Sequence, residues 1–224
     1  MAILADYEVA RLVKTKSGEI IIDPYFDVFQ GPNCYYLHLG CRFRRFKEVN
    51  HPVNPMDRNS LMNLTEEIIS TKPITLKPQE FILAETFEYV GVSKNFMGDI
   101  EAVTSVARVG LDQLTAGTLN AGHGYTKPFR LTLELVNHAP YPIVLTPTYV
   151  DKNGVIHWGM EIVKIKFIRM TTPPEKPYDK WRYGVYSGDK KVSETKMYSR
   201  FADAHGLKLP KDSRVWNDKE YFGE

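Results

Sequence analysis

The 224-residue sequence predicts a mainly β protein, a sandwich, barrel or jelly roll, with a short N-terminal helix and an extended C-terminal arm. Two observations predict the β class. From Ile74 onward the apolar residues form segments of strand length, and Lys-Pro, Gly-His-Gly and Asn-Gly turn signals separate them. A third observation predicts the arm, because after Met170 the chain is rich in Pro, Lys and Tyr and has no apolar periodicity.

The N-terminal elements follow from residue spacing. Residues 3–13 carry apolar side chains at helical spacing, with Asp6 as a candidate cap, and a short strand then ends at Pro24. Residues 33–46 indicate a pair of strands that opens at Gly40. The polar, proline-containing stretch 51–64 predicts a loop, with a short helix near 61–69.

The remaining strands are predicted by apolar alternation at 74–76, 80–92, 98–111, 129–139, 142–147 and 159–170. The sequence has no internal repeat and no low-complexity tract. We therefore expect one domain over residues 1–170, with residues 171–224 as an arm or lid and not as a second domain.

Composition narrows the class of function. The chain has 29 Lys+Arg and 27 Asp+Glu, and the resulting net charge of +2 gives no electrostatic argument for binding nucleic acid or a membrane. Its apolar stretches are interrupted well before the roughly 20 residues that cross a bilayer, and the first residues lack a signal-peptide pattern. We expect a cytoplasmic protein whose core needs neither metal nor disulfide.

The two cysteines, Cys34 and Cys41, cannot form a four-thiolate zinc site. A Cys/His site that includes His38 stays open as an alternative. Strand alternation places Cys34 and His38 on one face, which favours a core cysteine and a buried histidine with a hydrogen-bond partner. We expect no zinc.

Several segments, taken in order, resemble the deoxycytidine triphosphate (dCTP) deaminase family, which shares its fold with the trimeric deoxyuridine triphosphate (dUTP) pyrophosphatases. TSVARVGL followed by LTLELVN is the most specific part of the resemblance. The other segments are the N-terminal helix, YYLHLGCRFRRF, ITLKPQEFILAETFEYVGV, LTAGTLNAG, the continuation HAPYPIVL, and GMEIVKIKF. The resemblance implies a dUTPase-like distorted β-barrel or jelly roll, a homotrimer with sites between subunits, and a deoxynucleotide substrate.

Glu134 in LTLELV matches the strand-borne glutamate with which this family moves protons. Deamination adds water at C4 of cytosine and expels ammonia, so a group must take a proton from water and deliver it to the base. The zinc deaminases use H-x-E and P-C-x-x-C residues, which this sequence lacks. Strand alternation places the Glu134 side chain on the other face of the strand from Leu133 and Leu135. Without the resemblance, the alternative interpretation is an ordinary exposed glutamate on a strand.

The segment TSVARVGL supplies further residues by resemblance. Thr104 stands where the family has a serine that holds the attacking water, Ser105 where a hydroxyl meets phosphate, and Arg108 where a guanidinium stabilises the reacting site. Local caps and a solvated arginine are the alternative interpretation. LTAGTLNAG would be the hairpin that receives base and sugar, through the main chain of Thr115, Ala116 and Gly117 and the side chain of Asn120.

Three departures from the family pattern bear on the reaction. Val103 occupies the position of a phosphate-binding arginine, and Asn120 replaces an aspartate that meets the 3′-hydroxyl and activates water in the pyrophosphatases. An amide cannot act as that base, although Asp99 or Asp112 could substitute for it. Inserts at 121–130 and 148–158 are the third departure.

Other candidates come from charge and ring chemistry. His123 in GHGY suggests a base or a ligand, although a lone histidine in a glycine turn is expected to be exposed. Cations could replace the missing phosphate contact, and arm tyrosines could stack on a base or pack on the barrel. The candidate cations are Lys127, Arg130, Lys190, Lys191 and Arg200, and the arm tyrosines are Tyr178, Tyr183 and Tyr186. Among these residues, Tyr186, Lys190 and Arg200 are the predicted substrate contacts.

Three functions follow as hypotheses. The first is a dCTP deaminase that forms dUTP and ammonia, with Mg²⁺ on the triphosphate, as the resemblance implies, and the arm as a lid. The second is a dUTP pyrophosphatase or a bifunctional, dUMP-forming deaminase. The third, motivated by Val103 and Asn120, is a non-catalytic nucleotide-binding relative.

Overall fold

A computed structural model describes residues 2–15, 18–114, 117–189 and 191–200 and shows a mainly β protein, as the sequence predicts. The helices are α1 (Asp6–Lys14) and the single turn α2 (Thr104–Ala107), and 3₁₀ turns lie at Asp27–Phe29, Asn59–Leu61, Tyr178–Lys180 and Met197–Ser199. The strands are β1 (Ala2–Ile3), β2 (Ile20–Asp23), β3 (Tyr35–Phe46), β4 (Thr65–Ile69), β5 (Ile74–Leu76), β6 (Phe81–Val92), β7 (Phe96–Ala102), β8 (Leu111–Gln113), β9 (Thr118–Leu119), β10 (Phe129–Asn137), β11 (Ile143–Leu145), β12 (Tyr149–Val150), β13 (Ile156–His157) and β14 (Glu161–Arg169).

One curled antiparallel sheet organises the chain. Its strands follow the order β8-β10-β6-β3-β14-β7-β9, with β1 on β14, β2 on β6 and β4 on β3. The long strands β3 and β6 lie in the middle, and alternate residues of β3 and β14, such as Leu37, Phe43 and Phe167, are fully buried. The sheet curls so that these side chains share one core. The pairs β5–β11 and β12–β13 lie outside the main sheet.

The N-terminal helix begins at Asp6, not before it. Ala5 occupies the capping position, and the Asp6 side chain accepts a hydrogen bond from the Tyr7 backbone N–H, so the prediction of Asp6 as the cap was wrong. Its negative charge still lies in the first turn, where it is favourable to the helix dipole. The residues Val9 and Leu12 of α1 are buried against the sheet, as their spacing predicts.

The predicted strand pair at residues 33–46 is a single strand, β3. Its first half pairs with β14 and its second half with β4, and the pairing with β6 shifts register between Leu39 and Phe43. A Cβ at Gly40 would lie 2.9 Å from the Thr86 carbonyl oxygen, so glycine allows the close approach of β6 at this shift. The glycine therefore marks a bulge inside one strand and not a turn between two.

The predicted helix near residues 61–69 was also wrong. The chain makes only the turn Asn59–Leu61 and then enters β4. Cross-strand pairs of opposite charge explain the strand, because Glu67 lies opposite Arg44 and Glu66 opposite Arg45 on β3.

After β14 the described residues of the arm contain two 3₁₀ turns, Tyr178–Lys180 and Met197–Ser199, and contact the β-structure. Asp179 accepts hydrogen bonds from the backbone N–H groups of Gly124 and Thr126, and Glu194 pairs with Arg44 at 3.0 Å. The division at residue 170 into domain and arm stays a prediction. Among the helices in the described part of the chain, none is long and apolar enough to span a membrane.

Candidate active site

A cavity of about 720 Å³ lies between the arm and the face of the sheet that carries β10. This size is in the usual range for sites that bind small molecules. One wall consists of Arg130, Thr132 and Glu134 on β10, together with Gly117 and Asn120 of the hairpin region. The opposite wall comes from the arm and includes Tyr178, Trp181, Tyr186, Asp189, Lys191, Glu194 and Arg200.

The carboxyl group of Glu134 lies at this cavity. Leu133 and Leu135 are fully buried on the opposite face of β10, so alternation turns Glu134 toward the cavity beside Thr132. Its Oε2 is buried without a hydrogen-bond partner among the described residues, and burial raises the pKa of Glu134. A half-buried carboxyl that holds its proton more tightly than usual suits proton transfer near neutral pH.

The raised pKa of Glu134 predicts a pH-dependent change of stability. The folded chain holds this proton more tightly than the unfolded chain, so the free energy of unfolding falls as the pH rises from the ordinary value of 4.5 through the raised pKa. Glu134→Gln removes this titration, so the stability of the variant relative to the parent should increase as the pH rises above the ordinary value of 4.5. Thermal unfolding of both proteins across this range measures the effect. Parallel curves would contradict it; Glu66→Gln, at an exposed strand glutamate, is the matched control.

The other predicted hairpin contacts are only partly described. Gly117 and Asn120 line the cavity, and the Gly117 carbonyl accepts a hydrogen bond from the Ile100 N–H at 2.7 Å. Thr115 and Ala116 lie outside the described residues, as do Lys190 and residues 201–224.

The cavity does not include Thr104, Ser105 or Arg108. All three are exposed on α2 or directly after it, and none lines the cavity of Glu134. Ser105 instead borders a separate pocket beside His38 and Trp158. Val103 is buried in the core, so this position offers no cation to either pocket. A single chain therefore does not bring the two predicted halves of the site together.

Three of the candidate cations line the cavity: Arg130, Lys191 and Arg200. Arg130 donates from Nη1 to Oε1 of the buried Glu85 at 2.8 Å, and its guanidinium lies 4.7 Å from the centre of the Tyr89 ring. Lys127 is exposed and does not line the cavity. Tyr178 and Tyr186 line the cavity, whereas Tyr183 does not.

His123 contradicts the expectation of an exposed turn residue. It is 8% exposed and lines the cavity, and its ring stacks between Phe129 and Tyr178 with centroid distances of 4.0 and 4.1 Å. The turn is buried because the first insert, which contains it, passes under the arm. The second insert forms the β12–β13 hairpin, and none of its residues lines the cavity.

Sequence reasoning missed two acidic residues of the arm that line the cavity. Asp189 pairs with Lys196 at 2.5 Å, and Glu194 contacts Arg44 and Thr65. No sequence periodicity marks either residue, because the described part of the arm is mostly irregular, and the path of the arm across the sheet brings them to the cavity.

His38, for which a Cys/His metal site was the alternative, is a buried core residue. Its Nδ1 lies 2.7 Å from Oε1 of Glu88, and both side chains are almost fully buried. This arrangement agrees with the interpretation of His38 as a buried histidine with a partner. Within the described ranges, no three His, Cys, Asp or Glu residues group as metal ligands.

Comparisons with known proteins agree with these features. A family model described as dCTP deaminase-like matches residues 3–149. The "dCTP deaminase, dUMP-forming" of Mycobacterium tuberculosis H37Rv is 30% identical over 188 residues, which cover 83% of this chain and 91% of that protein. The protein of the same description from Mycobacterium avium is 29% identical over the same shares.

The fold has a counterpart among solved structures. The 2′-deoxycytidine 5′-triphosphate deaminase of Agrobacterium tumefaciens superposes with a TM-score of 0.54 at 17% identity. The match covers 75% of this chain and about half (48%) of the Agrobacterium chain. This likeness concerns the fold; the family match over residues 3–149 and the 30% identical relative show that the chain belongs to the dCTP deaminase-like family.

Proposed function

We propose that the protein deaminates dCTP to dUTP and ammonia with Glu134 as the proton shuttle. The observation that carries the proposal is the half-buried Glu134 carboxyl, whose Oε2 has no hydrogen-bond partner among the described residues, in a cavity of nucleotide size. The buried neighbours Leu133 and Leu135 turn Glu134 toward the cavity, and the raised pKa of Glu134 suits a group that alternates between acid and base.

The reaction balances with one carboxylate. Glu134 takes a proton from a water molecule as the water oxygen bonds to C4 of cytosine, and it passes that proton to N3. The tetrahedral intermediate then loses ammonia, after the proton of the new hydroxyl has moved through Glu134 to the amine. Thr104 would hold the attacking water, and Arg108 would stabilise the charge at the reacting atoms.

We propose that the site is shared between subunits of a homotrimer, because the cavity of one chain contains Glu134 but not Thr104, Ser105 or Arg108. These exposed residues would enter the cavity of a neighbouring chain. Val103 is buried, so the cations for the phosphates would come from residues such as Arg200 and, outside the described part, Lys190. We expect Mg²⁺ to arrive on the triphosphate, since the arm carboxylates Asp189 and Glu194 already pair with cations.

The shared site predicts that two inactive variants rescue each other. Arg108→Ala and Glu134→Gln should each be inactive alone, whereas trimers assembled from an equal mixture should regain about a quarter of native activity, because each site has one chance in four of receiving both native residues. Ammonia release after co-expression measures the rescue. Sedimentation should give three times the chain mass of 25.7 kDa. A monomer, or no rescue in a proven mixed trimer, would refute the shared site.

The arm would act as a lid. The ion pair that joins it to the sheet, Arg44 with Glu194, is partly exposed, with side-chain exposures of 22% and 32%. An ion pair of this exposure contributes little to stability, so breaking it would cost little when the arm opens for substrate.

A second candidate is the bifunctional, dUMP-forming reaction, because the curated relatives carry that description. A non-catalytic nucleotide-binding protein is the third. One experiment separates the three: incubation with a panel of deoxynucleotides, followed by product masses and ammonia release. dUTP with ammonia supports the proposal, dUMP supports the second candidate, and binding without product supports the third.

A further inference from the structure

A chain of charged side chains of alternating sign crosses the sheet and ends at the cavity. It runs from Glu67 on β4 through Arg42 on β3 and Glu85 on β6 to Arg130 on β10. The successive guanidinium nitrogens and carboxylate oxygens lie 2.6, 3.8 and 2.8 Å apart. Of these four residues, only Arg130 lines the cavity. The member of the chain that reaches the cavity is therefore a cation.

The guanidinium group of Arg130 is held in place from two sides. Its Nη1 donates to Oε1 of Glu85 at 2.8 Å, and Glu85 is only 1% exposed, so the carboxylate that anchors the group is fixed in the sheet. The group also lies 4.7 Å from the centre of the Tyr89 ring, within range of a cation–π contact. A planar guanidinium group that is fixed in this way loses little conformational freedom when it binds a ligand.

One nitrogen of the guanidinium group stays available to a ligand. Nε is buried, so a ligand cannot reach it, and Nη1 is occupied by Glu85. Nη2 is neither buried nor hydrogen-bonded to a described residue, and the side chain as a whole is 23% exposed. Arginine has no acceptor atom, so the ligand group that fits Nη2 is an anion or a neutral acceptor.

Strand β10 sets the distance between this donor and the proposed proton shuttle. Arg130, Thr132 and Glu134 share one face of the strand by alternation, and all three line the cavity. At a rise of about 3.3 Å per residue, the backbone of Arg130 lies about 13 Å from that of Glu134. In the proposed reaction the base lies at Glu134, and the phosphates form the other end of the nucleotide. A cation two side-chain positions farther along the same face suits the phosphate end.

We propose that Arg130 binds a phosphate group of the deoxynucleotide through Nη2. The inference rests on the proposed function, because it takes the cavity as the deoxynucleotide site. It supplies from β10 a cation that the buried Val103 cannot supply. Phosphate is also the ligand group with which arginine forms its strong, charge-assisted hydrogen bonds. A phosphate at Nη2 continues the alternation of charge that begins at Glu67.

Equilibrium binding of a phosphate series in the Glu134→Gln background tests the proposal without turnover. The ligands are deoxycytidine and its mono-, di- and triphosphate. Arg130→Met keeps an unbranched side chain on the strand but removes the charge, so dCTP affinity should fall by about tenfold or more, as expected for a lost hydrogen bond to a charged group. Deoxycytidine affinity should stay unchanged. The shortest ligand that shows the loss identifies the phosphate that Arg130 contacts.

Further variants separate phosphate binding from folding. Arg130→Met leaves the buried Glu85 carboxylate without its partner, which destabilises the chain, so a second variant combines Arg130→Met with Glu85→Gln and should show the same loss for dCTP. Glu85→Gln alone keeps Arg130 and an amide oxygen for Nη1, so it should keep most of the dCTP affinity. Arg45→Met is the matched control, because Arg45 also pairs with a glutamate, Glu80 at 2.7 Å, but lies outside the cavity.

The pattern across ligands and variants decides the outcome. A loss of dCTP affinity in both Arg130 variants, with deoxycytidine affinity unchanged, supports the proposal. An equal loss for deoxycytidine would place Arg130 at the nucleoside, and an equal loss in Glu85→Gln would show that the ion pair only supports the fold; either result would overturn the proposal. If the Glu134→Gln parent binds none of the four ligands, the proposed function fails as well. If it binds dCTP and the folded Arg130 variants bind it equally well, only this inference fails.

Discussion

Glu134→Gln should reduce ammonia release from dCTP by a factor of the order of 10² or more while nucleotide affinity stays within a few-fold of the parent. The amide keeps the shape of the side chain but can neither take a proton from water nor return it. The structure strengthens this expectation, because the carboxyl lies in the cavity and its Oε2 has no partner in the described part of the chain. Steady-state ammonia release and equilibrium binding of dCTP provide the two measurements.

Two control variants separate chemistry from structure. Glu134→Asp keeps a carboxylate but withdraws it by one methylene, so we expect partial activity between the parent and Glu134→Gln. Glu66→Gln changes an exposed strand glutamate outside the cavity and should leave turnover unchanged. Near-full turnover of Glu134→Gln would show that another group moves the protons.

The position of Glu134 could be predicted because the signal is local. Leucines at 133 and 135 face the core, so alternation turns residue 134 the other way whatever the rest of the fold does. The role assigned to the residue needed more than alternation, because an exposed strand glutamate has the same pattern. The resemblance supplied the role, and the cavity supplies its physical basis.

The errors arose where distant contacts decide the structure. The segment 65–69 becomes a strand because Arg44 and Arg45 on β3 lie opposite its glutamates, and no local pattern shows that pairing. His123 was expected in solvent because its glycine-flanked sequence is typical of an exposed turn. The arm buries it instead, and the path of the arm is set by contacts such as those of Asp179 with the backbone of Gly124 and Thr126.

The resemblance implied a site between subunits, but the residue pattern alone could not show how the site residues are divided. Thr104 and Arg108 were grouped with Glu134 by their resemblance to family residues, but sequence order does not tell which subunit supplies each group. Within one chain they are exposed and do not line the cavity that contains Glu134, which is why we propose that a neighbouring chain supplies them. The rescue experiment with mixed trimers tests this point directly.

Asn120 leads to a prediction about the reaction type. Pyrophosphate release needs a base beside the water that attacks the α-phosphate, whereas deamination asks of residue 120 only a hydrogen bond to the sugar, which an amide can make. Asn120 lines the cavity, so its side chain is placed to contact substrate but not to accept the proton of water. We therefore expect dCTP to give ammonia and dUTP, with pyrophosphate release at least about 10² slower.

The measurement follows ammonia and pyrophosphate in the same tube, with dCTP and then with dUTP alone as substrate. Asn120→Asp restores a carboxylate at the position and should introduce pyrophosphate release, whereas Asn120→Ala should weaken binding without introducing it. Pyrophosphate from the parent, in step with ammonia or from dUTP, would overturn the prediction and align the protein with its dUMP-forming relatives. The base would then have to come from elsewhere in the cavity. Neither Asp99 nor Asp112 lines it, but Asp189 and Glu194 do, so Asp189→Asn and Glu194→Gln would show which arm carboxylate had replaced the missing aspartate.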